Sequence, residues 1–91
     1  MKLIYDPAKN AKNIAERGLS FERAVDFDFE TALTWVDNRK AYGETRLCSI
    51  GWLDDRLHSI AYTPRMEGLR VISFRKANTR ERKRYEQEKK A

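Results

Sequence analysis

Residues 45 to 75 hold three apolar runs of strand length whose connections are too short to cross over a sheet, and this restricts the fold more than any other stretch of the chain. Thr45 to Leu53 alternates, with Cys48, Ile50 and Trp52 on one side. Asp54-Asp55 makes a tight turn, Arg56 to Thr63 returns, Pro64 to Gly68 turns again, and Leu69 to Arg75, rich in Val, Ile and Phe, forms the last run. Turns this short join antiparallel neighbours, because a parallel pair needs a crossover of roughly a dozen residues or more. Ala32 to Val36, ahead of the polar loop Asp37 to Glu44, adds a further strand, so the sequence predicts an antiparallel four-stranded meander.

The chain before Thr31 has a helical period. Lys2 to Tyr5 alternates as a short strand and ends at Asp6-Pro7, where Asp caps a helix and Pro takes its first position. Ala8, Ala11, Ile14 and Ala15 fall on one face at three- and four-residue spacing, which marks them as the side that packs. Gly18 supplies the left-handed residue that ends the helix, with Leu19 folding back on its last turn. Ser20 caps a second short helix whose apolar face is Phe21, Ala24, Val25 and Phe29, so a two-helix hairpin is expected. At the other end, Asn78 or Thr79 starts a helix running to about Lys89. That helix is polar nearly all round, with Tyr85 its only large apolar group, and the expectation is that it is frayed or held by a partner. Arg82 and Glu86 stand at i,i+4 spacing along it. The fold class is therefore α+β: a short N-terminal strand, a helical hairpin, the meander and a C-terminal helix.

With 91 residues there is room for one domain with one modest core. Cys48 is the only cysteine, so neither an internal disulfide nor a cysteine cluster for zinc can form, and no cofactor is expected. The first residues are too short an apolar run for a signal peptide and no stretch approaches a membrane span, which makes the cytoplasm the expected location. Residues 1–63 carry 9 Lys+Arg against 10 Asp+Glu, or −1, whereas residues 64–91 carry 10 against 4, or +6. The whole excess lies at the C-terminal end, and such a field draws nucleic acid, acidic proteins or anionic lipid. Lipid is the weakest of these, since the basic helix lacks an apolar face.

Two groups of residues resemble the BrnT family, the toxin halves of bacterial type II toxin–antitoxin pairs. The first is Asp6, Pro7, Lys9 and Asn13 followed by Gly18, Leu19, Ser20, Phe21 and Ala24; the second is Ile72, Ser73, Arg75 and Ala77 followed by Glu81, Arg82 and Tyr85. Arg17 stands where a His often precedes the Gly, and the segment Thr63 to Gly68 is longer than the family's usual turn. The resemblance implies a fold like that of RelE-type toxins, RNA cleavage without a metal ion, growth arrest, and neutralisation by a BrnA-like antitoxin that carries the DNA-binding ribbon-helix-helix. Such an antitoxin is expected to cover the basic C-terminal third with an acidic or amphipathic segment, in competition with RNA. A different class of reading is a non-catalytic module that binds nucleic acid or antitoxin within a repressor complex.

Metal-free RNA cleavage needs a group to take the 2′-hydroxyl proton, cations for the charged phosphorane, and a group to protonate the leaving oxygen. Arg75, at the end of the last strand, is the first candidate for stabilising the transition state, and Arg65 in the neighbouring turn the second. Regular alternation sets Arg75 with Leu69, Val71 and Ser73, and Arg70 on the opposite face with Ile72 and Phe74. His58, the only histidine, suits acid–base work by its ordinary pKa, or else packs in the sheet beside Ile60 and Tyr62. Arg70, Lys76, Arg80 and Arg82, with Lys83 and Arg84, are candidate phosphate contacts, against the plainer reading of a solvated helix face. Tyr62 and Tyr85 read either as platforms for RNA bases or as core residues. Glu44 reads as a carboxylate base or an ordinary loop acid, Glu81 and Arg82 as a structural pair, and Trp35 and Trp52 as core.

Overall fold

A computed structural model describes residues 1–90. Strand β1 (Leu3–Ile4) leads into helix α1 (Pro7–Arg17), a 3₁₀ helix (Phe21–Asp26), strands β2 (Leu33–Val36), β3 (Leu47–Leu53), β4 (Arg56–Arg65) and β5 (Gly68–Lys76), and helix α2 (Thr79–Lys90). The architecture is α+β, but the sheet is mixed and five-stranded, in the order β1-β5-β4-β3-β2. From β2 to β5 every pairing is antiparallel, while β1 lies outside β5 and runs parallel to it through Leu3–Leu69 and Ile4–Arg70. The partners in each of these pairs lie 66 residues apart in the chain, which hides the pairing from local patterning. Gly68 makes it possible: a Cβ there would stand 2.2 Å from the Lys2 carbonyl oxygen, which accepts the Leu69 N–H at 2.8 Å.

The expected hairpin of two α-helices is instead one α-helix and a single 3₁₀ stretch. Asp6 caps α1 through its carboxylate and the Ala8 N–H (2.9 Å), Gly18 ends the helix at φ 64°, and the Ser20 hydroxyl accepts the Glu22 N–H at 3.1 Å to start the second segment. Phe27 then leaves in extended conformation after six residues. The face of α1 that the pattern marked for packing is turned out: Ala8, Ala11, Ile14 and Ala15 are exposed, and Asn13 is the one buried residue of the helix. The reason lies in what α1 covers. Beyond Arg70 no strand among the described residues pairs with the outer edge of β5, and a bare edge needs hydrogen-bond donors rather than methyl groups. The Asn13 amide donates to the Phe74 carbonyl of that edge and to the Leu19 carbonyl, both at 2.9 Å, and the Asn10 side chain accepts the Phe21 N–H at 2.7 Å.

Side chains alternate across the strands and divide the molecule into a closed and an open face. On the closed face Ile60, Tyr62, Val71 and Phe74 pack with Leu53 against Phe21, Ala24 and Phe27. On the other, Ile50 and Leu57 meet Ala77 and Tyr85, so α2 covers only one end of the sheet. This corrects the expectation of a frayed or partner-held helix. Tyr85 is buried, donates its hydroxyl to the Thr31 carbonyl (3.2 Å) and meets Trp52 edge-on, while Arg84 lies 4.1 Å over the ring of Trp35. Trp52 is thus a half-exposed lid on Tyr85 rather than core. Asn78 and Glu81 start α2 with a reciprocal cap, the Glu81 N–H donating to Asn78 (2.8 Å) and the Asn78 N–H to Glu81 (2.9 Å).

One irregularity decides which residues share the open face. Ala61 pairs with Ser73 but Tyr62 pairs with Val71, so Ile72 is an extra residue in β5. Val71 and Phe74, three apart, consequently lie in the same core, which a regular strand would forbid. Thr63 and Pro64 continue β4 to Arg65, and the turn contracts to Met66 and Glu67.

Candidate functional site

The bulge at Ile72 returns Arg70 to the open face that Arg75 and Ser73 already occupy. Arg70 stands opposite Thr63 and Arg75 opposite Ser59, and these β4 partners point to the same side. The regular alternation expected from sequence had put the two arginines back to back.

Beside α2 the open face hollows into a cavity of about 450 Å³, walled by Trp35 and Ala61, with Ser59, Ser73 and Cys48 on its floor and Arg39 and Arg75 at its sides. Each arginine is held by a carboxylate with two prongs. Arg75 gives Nη1 and Nη2 to the two oxygens of Glu81 at 2.8 and 3.0 Å. Arg39 gives Nε and Nη2 to Asp37 at 2.9 and 2.8 Å. The Asp37 side chain is only 2% exposed and also accepts the Tyr42 hydroxyl and the Arg39 N–H, whereas the Arg39 side chain is 76% exposed. The Arg39 fork therefore grows from a buried anchor into solvent. Its hydrogen bonds hold the Asp37 carboxyl far below the usual carboxylate range. For Glu81, burial opposes the charge, but bonds from Arg75 and the Asn78 N–H prevail and lower its pKa. Glu81 thus pairs with Arg75, not with Arg82 as the sequence suggested, and it caps α2 with the same group. Burial pushes the Cys48 thiol up, which disfavours its thiolate form.

A second group of cations lies at the far end of the same face. Arg65 and Arg70 both reach Glu44 at 3.4 Å, and Thr63 donates its hydroxyl to the same carboxylate at 3.3 Å. Gly43, at φ 73°, lets the loop turn so that Glu44 comes over the sheet.

The remaining sequence candidates lie elsewhere. His58 is 5% exposed, on the closed-face side with Ile60 and Tyr62; its ring leans on Phe74 and its Nδ1 sits 2.9 Å from the Arg56 carbonyl. It floors a separate cleft bordered by Arg17 and Lys76, which Arg75 touches from the strand end. Burial lowers its pKa. The unfolded chain therefore takes up this proton first as pH falls, and stability drops as pH passes below about 6.5, the ordinary histidine value, towards the lowered folded one. Chemical denaturation between pH 5 and 8 should show this slope in the wild type and a reduced one in His58→Leu; equal slopes would mean that the buried ring is not its source. Tyr62 and Tyr85, weighed as base platforms, are both buried, the former with its hydroxyl 2.8 Å from Ser49 and its ring against Phe29, so neither ring offers a face to a base. The charge run of α2 splits around the helix: Arg80 lines an outer cleft with Lys83 and Arg84, while Arg82 faces Trp52 and Asp55.

Arg39, Asp37 and the cavity side of Trp35 escaped the sequence reading. The one local signal was Asp37-Asn38-Arg39 directly after a strand, a spacing at which an Asp side chain binds the N–H two residues on. Among the described residues no three His, Cys, Asp or Glu side chains are grouped to hold a metal ion, and no helix is long and apolar enough to cross a membrane.

Fold and site define a small α+β domain with an arginine-sided cavity on an open sheet face. Residues 5–81 match the family described as the ribonuclease toxin BrnT of type II toxin–antitoxin systems, and the chain belongs to that family. No curated protein matches it. Membership makes RNA the substrate class and an antitoxin the partner.

Proposed function

We propose that this toxin cleaves RNA without a metal ion, in the cytoplasm, using the cavity between Arg39 and Arg75. The observation that carries the reading is that both guanidinium groups are held by carboxylates in one cavity while part of each fork remains free. When the 2′-hydroxyl of RNA gives its proton to water and its oxygen attacks the adjacent phosphorus, negative charge builds on the non-bridging oxygens; the bond to the 5′-oxygen then breaks, leaving a 2′,3′-cyclic phosphate and a 5′-hydroxyl that takes its proton from water. Guanidinium N–H groups already fixed in place stabilise that charge without reorganising, and they remain protonated throughout. Arg75 is assigned the central role because it reaches the cavity floor beside Ser59 and Ser73, with Arg39 at the solvent side. Trp35, braced from one side by Arg84, forms the apolar wall against which a base would rest. Lys76, Arg80 and the outer face of α2 extend positive charge beyond the cavity and contact flanking phosphates.

The antitoxin is proposed to be BrnA-like, with a ribbon-helix-helix for DNA and a segment that covers this basic end. The test of activity is purified toxin mixed with end-labelled RNA in excess EDTA. Discrete cleavage products are expected; RNA bound and retained intact would leave the non-catalytic binding module as the better reading.

A further inference from the structure

At the end of the open face away from α2, one carboxylate serves two guanidinium groups. Glu44 Oε1 accepts from Arg65, and Oε2 from Arg70 and the Thr63 hydroxyl, all at 3.3 to 3.4 Å. Charge-assisted bonds are usually about 2.7 to 2.9 Å long, and the Arg75–Glu81 pair on the same face meets that standard at 2.8 Å. The Glu44 contacts are therefore loose. The cluster is also unbalanced, two cations against one anion, and the arginine side chains are each 38% exposed. The cations come from strands β4 and β5, fixed in register by the Thr63–Arg70 and Arg65–Gly68 pairs, whereas the anion comes from the loop between β2 and β3. A pair of cations set by strand pairing thus faces an anion carried by a loop.

We infer that Arg65, Arg70 and Thr63 form a second phosphate site, and that Glu44 occupies it in place of an RNA phosphodiester and is displaced when RNA binds. The carboxylate is a fair substitute for the ligand, since both present two oxygens sharing one negative charge. Thr63 adds a neutral donor, as phosphate-binding sites often do. The placement fits a continuous strand of RNA. Ser59 and Thr63, the partners of Arg75 and Arg70, are four residues apart on β4, which at about 3.3 Å per residue sets the two sites roughly 13 Å apart on one face. That separation exceeds one nucleotide step, so the second site grips a phosphate beyond the scissile one and orients the strand across Arg75. This placement rests on the ribonuclease reading; the exchange of Glu44 for phosphate does not.

The test measures binding of an RNA oligonucleotide with 2′-O-methyl groups throughout, which lacks the nucleophile and cannot be cleaved. Fluorescence anisotropy across a salt series is run on wild type, Glu44→Gln, Glu44→Ala and Arg70→Ala, each first shown to keep the wild-type melting profile. Removal of the competing anion is expected to tighten Kd by about 3- to 10-fold in both Glu44 variants and to steepen the salt dependence. Arg70→Ala should weaken binding about 10-fold and reduce the slope of log K against log salt by about 0.7. If Glu44 is only a strut that positions the arginines, both Glu44 variants will bind more weakly or unchanged, and the inference is overturned. Tighter binding by the Glu44 variants of a toxin that yields no product from unmodified RNA would sustain the phosphate site and reject the cleavage reading alone.

Discussion

Arg75→Ala is expected to lower kcat for RNA cleavage by about 10²- to 10³-fold, the usual cost of removing one preorganised donor aimed at developing negative charge. The loss should appear in kcat more than in KM, since Arg39 and the Arg65–Arg70 pair still hold the strand. Arg75→Lys should recover little. A lysine keeps the charge, but its ammonium is a single point that cannot meet both Glu81 oxygens and still present N–H groups to a phosphate. The fold should survive the alanine change because Glu81 retains the Asn78 N–H at 2.9 Å and is not left unsatisfied. Initial rates on end-labelled RNA, with thermal unfolding of the same samples, separate the two effects. A kcat within about threefold of wild type in a folded Arg75→Ala protein would remove this residue from the mechanism. The pH behaviour follows from the same pair. Glu81 has its folded pKa lowered, so its contribution to stability is fully present above the ordinary glutamate value and is lost as pH falls through the folded one. The Arg75–Glu81 arrangement is therefore constant across neutral pH, and pH-dependence of kcat above about pH 6 must come from the reacting groups rather than from this clamp.

How far the sequence revealed this site depended on the reach of each determinant. The runs from Thr45 to Arg75 are local, and their turns leave little freedom, so the antiparallel neighbours were readable from alternation and turn residues. Gly18 and the Asp6 and Ser20 caps are equally local. The parallel pairing of β1 with β5 was not readable, because it depends on the fit of Lys2 against Gly68, far along the chain. The bulge at Ile72 left no mark in composition, yet it reversed the facing of Arg70 and so changed the membership of the site. Charge drew attention to the C-terminal third, which carries Arg65, Arg70 and Arg75. It could not show that their anionic partners would be Glu44 and Glu81, or that the cavity would be completed by Arg39 from a loop in the slightly acidic first part. His58 attracted attention for its intrinsic pKa, and burial on the closed-face side has altered that property.

Asn13→Ala is expected to destabilise the domain by roughly 2 to 4 kcal/mol, which is large for a polar-to-alanine change on a helix. Asn13 is 6% exposed and its amide satisfies two carbonyls, Leu19 just past the end of α1 and Phe74 on the uncovered edge of β5. Its own oxygen accepts from Arg17 at 3.0 Å, so the residue connects the helix, its C-terminal exit and the sheet. A buried acceptor left without a donor costs about 1 to 3 kcal/mol, and two are exposed to that cost here. Against a total stability of about 5 to 14 kcal/mol for a chain of this size, the melting temperature should fall by about 10 to 20 °C. Asn13→Asp is the stringent control, since it keeps the shape but replaces the donor with a negative oxygen facing two carbonyls, and it should be at least as damaging. Ile14→Ala, at the residue the hydrophobic pattern would have chosen, should cost under about 1 kcal/mol because Ile14 is 47% exposed. Thermal unfolding of the three variants ranks them directly. Should Ile14→Ala prove the more damaging, α1 would have to be held by its apolar side. If Asn13 ranks first, its place in the family motif is explained by a backbone edge that needs a donor, with no part in the chemistry proposed at Arg75.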